Sequence, residues 1–483
     1  MKGLTSRFSV AALAALLIGL NACGGSDSHD KVVPPPPEST IGLVSVGTIT
    51  GFGSVYVNGV RYRTTDAQVV MNDVAAAESA LKVGHYVEVK GHAHNSAEHD
   101  ADVIRYHNVL EGPITSIDTT SGTFVAMGQM VQVTAETAFG DGIEPASIEG
   151  LAVNDVVEVS GMVATLGAID ATRIDVKPDS GPFDVTGYVS NLALATHRFK
   201  VNALVVDYSS ANMDDFPTGQ PTDGDLVLVK GFTFNADGSF AATRVELRSD
   251  DWLKAAAGDV LEVEGAITDF ESATKFNVAG RAVTTTPTTM YEHGTVATLA
   301  NDVLVEVEGT ADAAGVLVAL KVKFKQVSEI RIVAQIQGKT GASLEILGLQ
   351  VATNDVTHYE DMSALALRNL SFTDLAVGNW VDVRGYEEPA GSNRVTATRI
   401  VRVDAQEAVR LRGPFLDPAK PSFHILSVPV ATVDTTRFVL EGGVRLTQSE
   451  FFIQAVDQMV EAWGTWSNAA ITADRVEIKV AED

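Results

Sequence analysis

Alternating apolar and polar residues followed by a glycine form a short pattern that returns along most of the chain. Its six copies read VEVKG, VEVSG, VLVKG, VEVEG, VDVRG and VEAWG, and they end at Gly91, Gly161, Gly231, Gly309, Gly385 and Gly464. Strict alternation predicts a β-strand with one buried face, and the glycine is interpreted as the end of that strand. Because the copies recur about every 70 to 80 residues, the pattern indicates tandem repeats of one small β domain.

Further strands surround this motif in a fixed order. Each unit opens with a strand that carries a glycine, such as Gly47, except the fifth, which has Ala334 at that position. The strand continues into a hairpin whose tight turns include Asn58-Gly59 and Ala279-Gly280, where positive φ angles are expected. A variable segment with room for a short helix precedes the motif, and a last strand closes the unit. Three strands, a short helix or loop and two strands is the order of an OB-type barrel. We therefore expect an all-β protein of about six tandem five-stranded OB-like barrels; a plain sandwich or meander is the alternative.

The repeats divide the chain into segments with short linkers between them. Residues 1–22 are interpreted as a lipoprotein signal peptide and 23–41 as a disordered, Pro-rich tether. The β repeats are assigned to residues 42–107, 108–180, 181–251, 258–328, 329–406 and 407–483. The linker around residues 249–259 is the longest, and Asp250 could cap a helix there. Short linkers predict that neighbouring barrels touch and form a rod or an arc.

The N-terminus has the three parts of an export signal. Lys2 and Arg7 precede an apolar run from Phe8 to Leu20, which is about 13 residues long and so short for a membrane-spanning helix. The sequence Leu20-Asn21-Ala22-Cys23 resembles a lipobox, which implies acylation of Cys23, the single cysteine of the chain. Gly24 follows the cysteine, which implies sorting to the outer membrane. An ordinary signal peptide with an incidental cysteine is the alternative.

The chain is strongly acidic, with a formal net charge of −27 at pH 7. Such a charge repels phosphate backbones, so nucleic acid is not an expected partner. Aromatic residues make up only 7% of the chain, and four phenylalanines recur at one hairpin position, which is typical of core residues rather than of a base-stacking platform. These residues are Phe124, Phe199, Phe276 and Phe423.

A basic residue also recurs in the last strand of five units. Its members are Arg173, Arg244, Lys321, Arg399 and Arg475. We interpret it as an outward position that pairs with the abundant acids, while a row of ligand sites is the alternative reading. Gly338-Lys339-Thr340 mimics the end of a phosphate-binding loop, but Val333 stands where the leading glycine belongs, so we reject that function.

Taken together, the lipobox and the repeated outline G-x-I, F-x-V-x-G, V-E-V-x-G and A-T-R-I resemble an uncharacterised family. Its members are predicted lipoproteins of Gram-negative bacteria with tandem OB-like repeats of unknown function. The resemblance is good in the first five units and looser in the sixth. It implies no activity and no catalytic residues.

Histidines are concentrated in the first repeat. His92 and His94 alternate directly after Gly91, and His99 follows on the returning arm of the same loop. Two histidines at this spacing on an extended strand face one side, so with His99 they could bind Zn²⁺, Cu²⁺ or Ni²⁺. The alternative is a solvated polar loop, with the nearby His85 simply on the surface.

We therefore expect a non-enzymatic, lipid-anchored protein of the outer membrane with an interaction or scaffolding role. Its partners would be the membrane, through the lipid, and envelope proteins or polysaccharide. No cofactor is expected, apart from the metal considered at repeat 1. A periplasmic or surface protein that binds a ligand or metal through the histidines is the second hypothesis, and an envelope hydrolase is the third.

Overall fold

The computed structural model describes residues 42–94, 98–164, 167–178, 181–248, 255–441 and 443–479. The expected signal peptide, the tether, Cys23 and the cap residue Asp250 lie outside the described residues. Among the described residues, no helix is long and apolar enough to cross a membrane.

The first three repeats consist of strands joined by short turns. Barrel 1 contains β1 (Gly42–Gly51), β2 (Val55–Val57), β3 (Val60–Arg63), β4 (Gln68–Met71), β5 (Val74–Ala76), β6 (Tyr86–Ala93) and β7 (His99–Tyr106). Barrel 2 contains β8 (Leu110–Asp118), β9 (Thr123–Ala126), β10 (Gln129–Phe139), β11 (Val156–Val163) and β12 (Ile169–Lys177). Barrel 3 contains β13 (Phe183–Ala193), β14 (Arg198–Val201), β15 (Leu204–Asp207), β16 (Asn212–Asp214), β17 (Leu226–Phe234) and β18 (Phe240–Leu247).

The last three repeats follow the same order. Barrel 4 contains β19 (Val260–Ser272), β20 (Lys275–Val278), β21 (Arg281–Glu292), β22 (Leu304–Ala311) and β23 (Leu317–Phe324). Barrel 5 contains β24 (Ile330–Thr340), β25 (Ser343–Ile346), β26 (Leu349–Ala352), β27 (His358–Asp361), β28 (Trp380–Glu387) and β29 (Arg394–Val403). Barrel 6 contains β30 (Val409–Ala419), β31 (Ser422–Ile425), β32 (Val428–Leu440), β33 (Val444–Leu446), β34 (Met459–Ser467) and β35 (Ala470–Lys479).

In the described part of the chain, helical structure is limited to single turns and one short helix. The 3₁₀ turns are Glu78–Ala80, Ile148–Gly150, Leu194–Thr196, Val296–Thr298 and Phe372–Asp374. The α-helix of barrel 6, α1 (Gln448–Gln454), begins at Thr447, whose side chain accepts a hydrogen bond from the Glu450 backbone N–H. Its Phe451 is fully buried against Phe423, so the helix closes one end of that barrel.

The strands of each repeat close into a barrel. In barrel 6, β30 pairs with β31 and β34, β31 pairs with β32, β32 runs parallel to β35, and β35 pairs with β34. The other five barrels have the same order, and in barrels 1, 3 and 5 the third strand is split into two segments that both run parallel to the last strand. A meander has no parallel neighbours, so the pairing confirms the OB-type barrel and excludes the meander.

The predicted hairpin features are present. The turn residues Asn58 and Ala279 have φ angles of 52° and 48°, as a tight hairpin turn requires. The four recurring phenylalanines are 1–2% exposed, which confirms that they are core residues.

The glycine of the repeated motif does not end its strand, and this corrects the prediction. β6 continues through Gly91 to Ala93, and the register against β7 shifts between Lys90 and Gly91. A Cβ atom on Gly91 would lie less than 3.0 Å from the carbonyl oxygen of Asp100 on β7. The other five glycines of the motif have the same close approach and the same register shift. The glycine therefore marks a β-bulge at which two backbones come together.

First strands join the barrels in pairs. β8 pairs antiparallel with β13, β24 pairs antiparallel with β30, and β1 pairs parallel with β19. Barrels 2 and 3 therefore form one pair, barrels 5 and 6 a second, and barrels 1 and 4 a third. The buried apolar residues of barrels 2 and 3 form one continuous cluster, as do those of barrels 5 and 6.

The two antiparallel pairs share one register. Leu110 pairs with Val185 in the first, and Ile332 pairs with Leu411 in the second. Each of these four residues lies two positions before the glycine, or in barrel 5 the alanine, of its first strand. Both pairs are thus arranged about a local two-fold axis, as in a symmetric dimer.

Barrel 1 also contacts barrels that are not its partner in a strand pair. Lys82 Nζ lies 2.7 Å from Asp175 of barrel 2, and Arg368 of barrel 5 lies 2.9 Å from the carboxylate of Glu78. A rod or an arc would bring only successive barrels together, so that expectation is wrong. Linker length alone does not determine which barrels meet, because polar outer faces also select partners.

Candidate functional site: the histidine surface and the barrel junctions

The two histidines after Gly91 lie on one face of barrel 1, where they meet two aspartates. His92 pairs directly with Asp100 across β6 and β7. Asp100 Oδ2 lies 2.8 Å from His94 Nδ1 and 3.9 Å from His92 Nε2, and His92 Nδ1 lies 3.1 Å from Asp102. We name His92, His94, Asp100 and Asp102 the histidine surface.

His99 does not join this surface. It is adjacent to Asp100 in β7, so its side chain points to the opposite face, where its ring lies 5.9 Å from the ring of the buried Tyr62. Burial lowers the pKa of His99, and its Nδ1 is buried without a hydrogen-bond partner among the described residues. The structure therefore places two of the three predicted histidines together and the third inside the barrel wall.

The guanidinium group of Arg63 lies beside the histidine surface. Arg63 Nη1 lies 2.9 Å from His94 Nδ1, and Arg63 Nε lies 3.5 Å from Asp100 Oδ1. Positive charge at this point already balances the carboxylate of Asp100. A metal ion bound by His94 and Asp100 would have to displace Arg63.

Arg63 also lines a polar cleft of about 370 Å³ between barrels 1 and 5. Two further arginines line it: Arg61 forms an ion pair with Glu98, and Arg368 stacks 3.8 Å from the ring of Phe52. The cleft was not predicted, because Arg368 is 290 residues from its contact at Glu78 and no local pattern joins them.

His85 is buried at the junction of barrels 1 and 2, not on the surface. Its ring stacks on Tyr106 at 4.1 Å, and its Nδ1 accepts a hydrogen bond of 3.2 Å from the Lys82 backbone N–H. Burial and the charge of Arg173 lower the pKa of His85 to about 3. The ring is therefore neutral at pH 7 with its proton on Nε2, which leaves neither nitrogen free to bind a metal.

The carboxylates that face His85 already have cationic partners. Ligand atoms of His85, Glu158 and Asp175 lie within 4.8 Å of one another, but Lys177 is 3.0 Å from Glu158 and Arg173 is 2.6 Å from Asp175. Arg173 and Lys82 lower the pKa of Asp175 to about 2, even though burial opposes that shift. This cluster is a network of ion pairs at the junction, in which the removal of one partner would leave an uncompensated buried charge.

A second acidic cluster lies between barrels 1 and 4. Ligand atoms of Glu262, Glu306 and Glu308 lie within 4.8 Å of one another. Burial and the neighbouring Glu306 raise the pKa of Glu262 well above its usual range. Lys321 contacts Glu308, and Lys325 lies 3.6 Å from Glu306 and 3.2 Å from Glu264. Alternating acids in VEVEG and alternating lysines in KVKFK are the sequence signal that would have predicted this pairing.

The recurring basic residue of the last strand pairs with an acid in all five barrels that carry it. Arg173 pairs with Asp175, Arg244 with Asp214 and Glu246, Lys321 with Glu308, Arg399 with Glu360, and Arg475 with Glu477. This confirms the ion-pair interpretation. Burial differs among the copies: Arg173 and Arg399 are buried between barrels, and Arg475 is on the surface.

These features define a class of protein: tandem OB-type barrels joined through first strands and charged outer faces. Five successive segments of the chain match the family model of a domain of unknown function, DUF5666; they are residues 42–104, 111–175, 186–246, 264–323 and 333–401. The chain belongs to this family. Barrel 6 has the same fold but lies outside the matched segments.

Other comparisons add little. No curated protein matches the chain. Three chains of solved structures match it. One of them, "drosophila Unr CSD456", is 12% identical over 47% of this chain and 99% of that chain, with a TM-score of 0.11. At that TM-score the likeness carries no argument.

Proposed function

We propose that this is a lipid-anchored protein of the cell envelope with a non-enzymatic interaction or scaffolding role. The observation that supports the proposal is the use of the repeated charges. The basic residue that recurs in the last strand of five barrels forms an ion pair in each of them. In barrels 2 and 5 these ion pairs lie within barrel junctions. In these two copies the repeated cation helps to join barrels into one body, which offers an extended outer surface for partners.

Anchoring in the outer membrane rests on the lipobox at Cys23. Acyl chains on this residue would hold the protein at the membrane, and residues 24–41 would separate the barrels from it. Envelope proteins or polysaccharide are the proposed partners. The net charge of −27 disfavours nucleic acid.

Crosslinking in cells tests this function. The full chain would carry an affinity tag after Asp483, and captured material would be identified by mass spectrometry and glycan analysis. We expect enrichment of one envelope protein or polysaccharide, and loss of both enrichment and outer-membrane fractionation in Cys23→Ala. Crosslinking that yields no specific partner from a well-expressed, membrane-bound protein would contradict the proposal.

A second candidate function is metal binding at the histidine surface, with Zn²⁺, Cu²⁺ or Ni²⁺ as the ion. The contacts of His92 and His94 with Asp100 favour it. Metal content after purification would be compared between the natural chain, a His92→Ala/His94→Ala variant and a His293→Ala control, since His293 also contacts a carboxylate, Glu388. Metal lost only from the double variant supports this candidate, and equal content in all three refutes it.

A further inference from the structure

A small cleft lies at the junction of barrels 5 and 6. It has a volume of about 230 Å³, and its lining includes two indole rings, Trp380 at the start of β28 and Trp466 near the end of β34. The chain has four tryptophans, of which Trp252 lies outside the described residues; the other three are all in these two barrels. In a chain with so few aromatic residues, this concentration is a local feature of one junction.

The two indole rings are fixed by packing against the hydrophobic core on the side away from the cleft. Trp380 and Trp466 are partly buried and pack against the apolar cluster that barrels 5 and 6 share. Each ring therefore presents a fixed face to the cleft and loses little conformational freedom when a ligand binds.

Hydrogen-bonding side chains complete the lining. Gln335, Gln337, Glu407 and Thr465 are all exposed. Gln335 is directly opposite Trp380 across β24 and β28. The Gln337 side-chain oxygen accepts a hydrogen bond of 2.9 Å from the Gly348 N–H, which orients its amide. Amide, hydroxyl and carboxylate groups beside flat apolar rings match a ligand with apolar C–H faces and many hydroxyl groups.

The charge of the cleft selects among such ligands. Glu407 is the one charged residue among those that line it, and the whole chain is strongly acidic. An anionic polymer would be repelled, whereas a neutral one would not. The volume is below the roughly 300–1,000 Å³ of pockets that enclose a whole small molecule, which suits one part of a longer chain lying across the cleft.

The corresponding junction of barrels 2 and 3 lacks these groups. That junction has the same strand register, so positions can be matched through the glycines of the repeated motif. Val156 corresponds to Trp380, and Thr233 corresponds to Trp466. Two barrels can therefore be joined in this way without any tryptophan, so the indole rings are not required for the joint itself.

We propose that the cleft between barrels 5 and 6 binds a neutral saccharide, with Trp380 and Trp466 stacking on sugar rings and Gln335 and Gln337 bonding to hydroxyl groups. The inference rests on the proposed interaction role and deepens it, because it specifies the chemistry of one partner. OB-type barrels offer surfaces that accept oligosaccharides, so the fold is compatible with this ligand.

Binding of the full chain to an array of neutral and anionic bacterial glycans tests the proposal. The neutral glycan that binds most tightly is then titrated into the protein, and its affinity is measured from the change in tryptophan fluorescence. We expect a neutral glycan to bind, with at least a tenfold loss of affinity in Trp466→Ala and in Trp380→Ala. Gln335→Ala, at an exposed position, should weaken binding several-fold without affecting folding. Trp463→Phe is the matched control and should bind normally, because that ring lies between Arg410 and Arg475 and does not line the cleft.

Three results would overturn the inference: no neutral glycan is bound, anionic glycans are preferred, or the Trp466→Ala, Trp380→Ala and Gln335→Ala variants bind as well as the natural chain. If crosslinking in cells captures an envelope protein while no glycan is bound, the saccharide inference fails and the interaction role stands. If both experiments give no partner, the proposed function fails as well.

Discussion

At the scale of single residues, the repeated glycine is a steric requirement of the closing hairpin. A side chain at this position would meet a backbone carbonyl, which cannot move aside as a flexible side chain can. The recurrence of the glycine was evident in the sequence, but its role was not. The role depends on the approach of a strand that follows later in the chain.

Gly91→Ala should destabilise barrel 1 by about 1–3 kcal/mol, because the added methyl group would overlap the carbonyl oxygen of Asp100. Hydrogen exchange of the β6 and β7 amides measures this locally, which matters because a chain of six barrels need not unfold in one step. Gly51→Ala in the same barrel is the control, since no atom lies within 4 Å of its added Cβ. Equal exchange rates in both variants would contradict the steric explanation.

Asp184 of barrel 3, at the junction with barrel 2, makes the stability depend on pH with a sign that follows from its pKa. Burial raises its pKa to about 7, and Asn108 donates a hydrogen bond of 2.8 Å to it. The folded protein holds this proton up to about pH 7, whereas the unfolded chain releases it near pH 4, so its stabilising effect is lost as the pH rises from about 4 to 7. Asp184→Asn should match the natural chain near pH 4 and have the higher melting temperature at pH 8. A difference that does not change with pH would refute this assignment.

At the scale of elements, one strand position serves two purposes. The last strand of five barrels carries a cation, which is buried between barrels in some copies and exposed in others. A buried ion pair that loses one partner leaves an uncompensated charge, whereas an exposed pair contributes little.

Arg173→Met should therefore destabilise the protein by about 3–5 kcal/mol, since Asp175 would remain buried without its main partner. Arg475→Met changes the same position in barrel 6, where the side chain is 43% exposed, and should cost less than about 1 kcal/mol. Hydrogen exchange of the β12 amides in Arg173→Met and of the β35 amides in Arg475→Met measures each loss locally, since the barrels need not unfold together. Comparable losses would show that burial at the junction does not determine the effect.

Much of each element could be predicted from the sequence, because the information is local. Alternation defined the strands, and Asn58-Gly59 defined a turn. The histidine surface was predicted only in part. The spacing of His92 and His94 predicted their common face, but it did not predict that His99, on the neighbouring strand, points to the opposite face. Arg63, which pairs with Asp100, lies on a third strand, so no spacing along the chain predicts its position beside the histidines.

At the scale of the whole molecule, barrels that are distant in the chain are neighbours in space. Arg368 of barrel 5 donates hydrogen bonds to the carbonyl oxygens of Glu78 and Leu81 in barrel 1. Such contacts depend on the outer faces of folded barrels, so repeat spacing and linker length could not predict them.

A thiol-specific crosslink between barrels 1 and 5 tests this arrangement. In a Cys23→Ala background, Glu78→Cys and Arg368→Cys together should be joined by a bifunctional thiol reagent, because the ion pair of 2.9 Å keeps the two backbones within the combined length of the natural side chains. A reagent with a spacer is used because a direct disulfide needs Cα atoms less than about 7 Å apart. The product contains a closed loop of about 290 residues and should migrate faster on a non-reducing gel. The two single-cysteine variants are controls. Failure to crosslink in a folded double variant would refute the contact.

Because β1 pairs with β19, the first strand of the protein can complete its pairing only after barrel 4 begins. Gly42 and Asp259, which are joined by a hydrogen bond, are 217 residues apart. At about 5–20 residues per second, the ribosome needs roughly 10–40 s to make the chain between them. Barrel 1 is therefore complete long before its partner strand exists, and the apolar side of β1 stays uncovered while barrels 2 and 3 are made. A chain exported from its N-terminal end meets the same order, so barrel 1 reaches the envelope with one edge of β1 unpaired until barrel 4 follows.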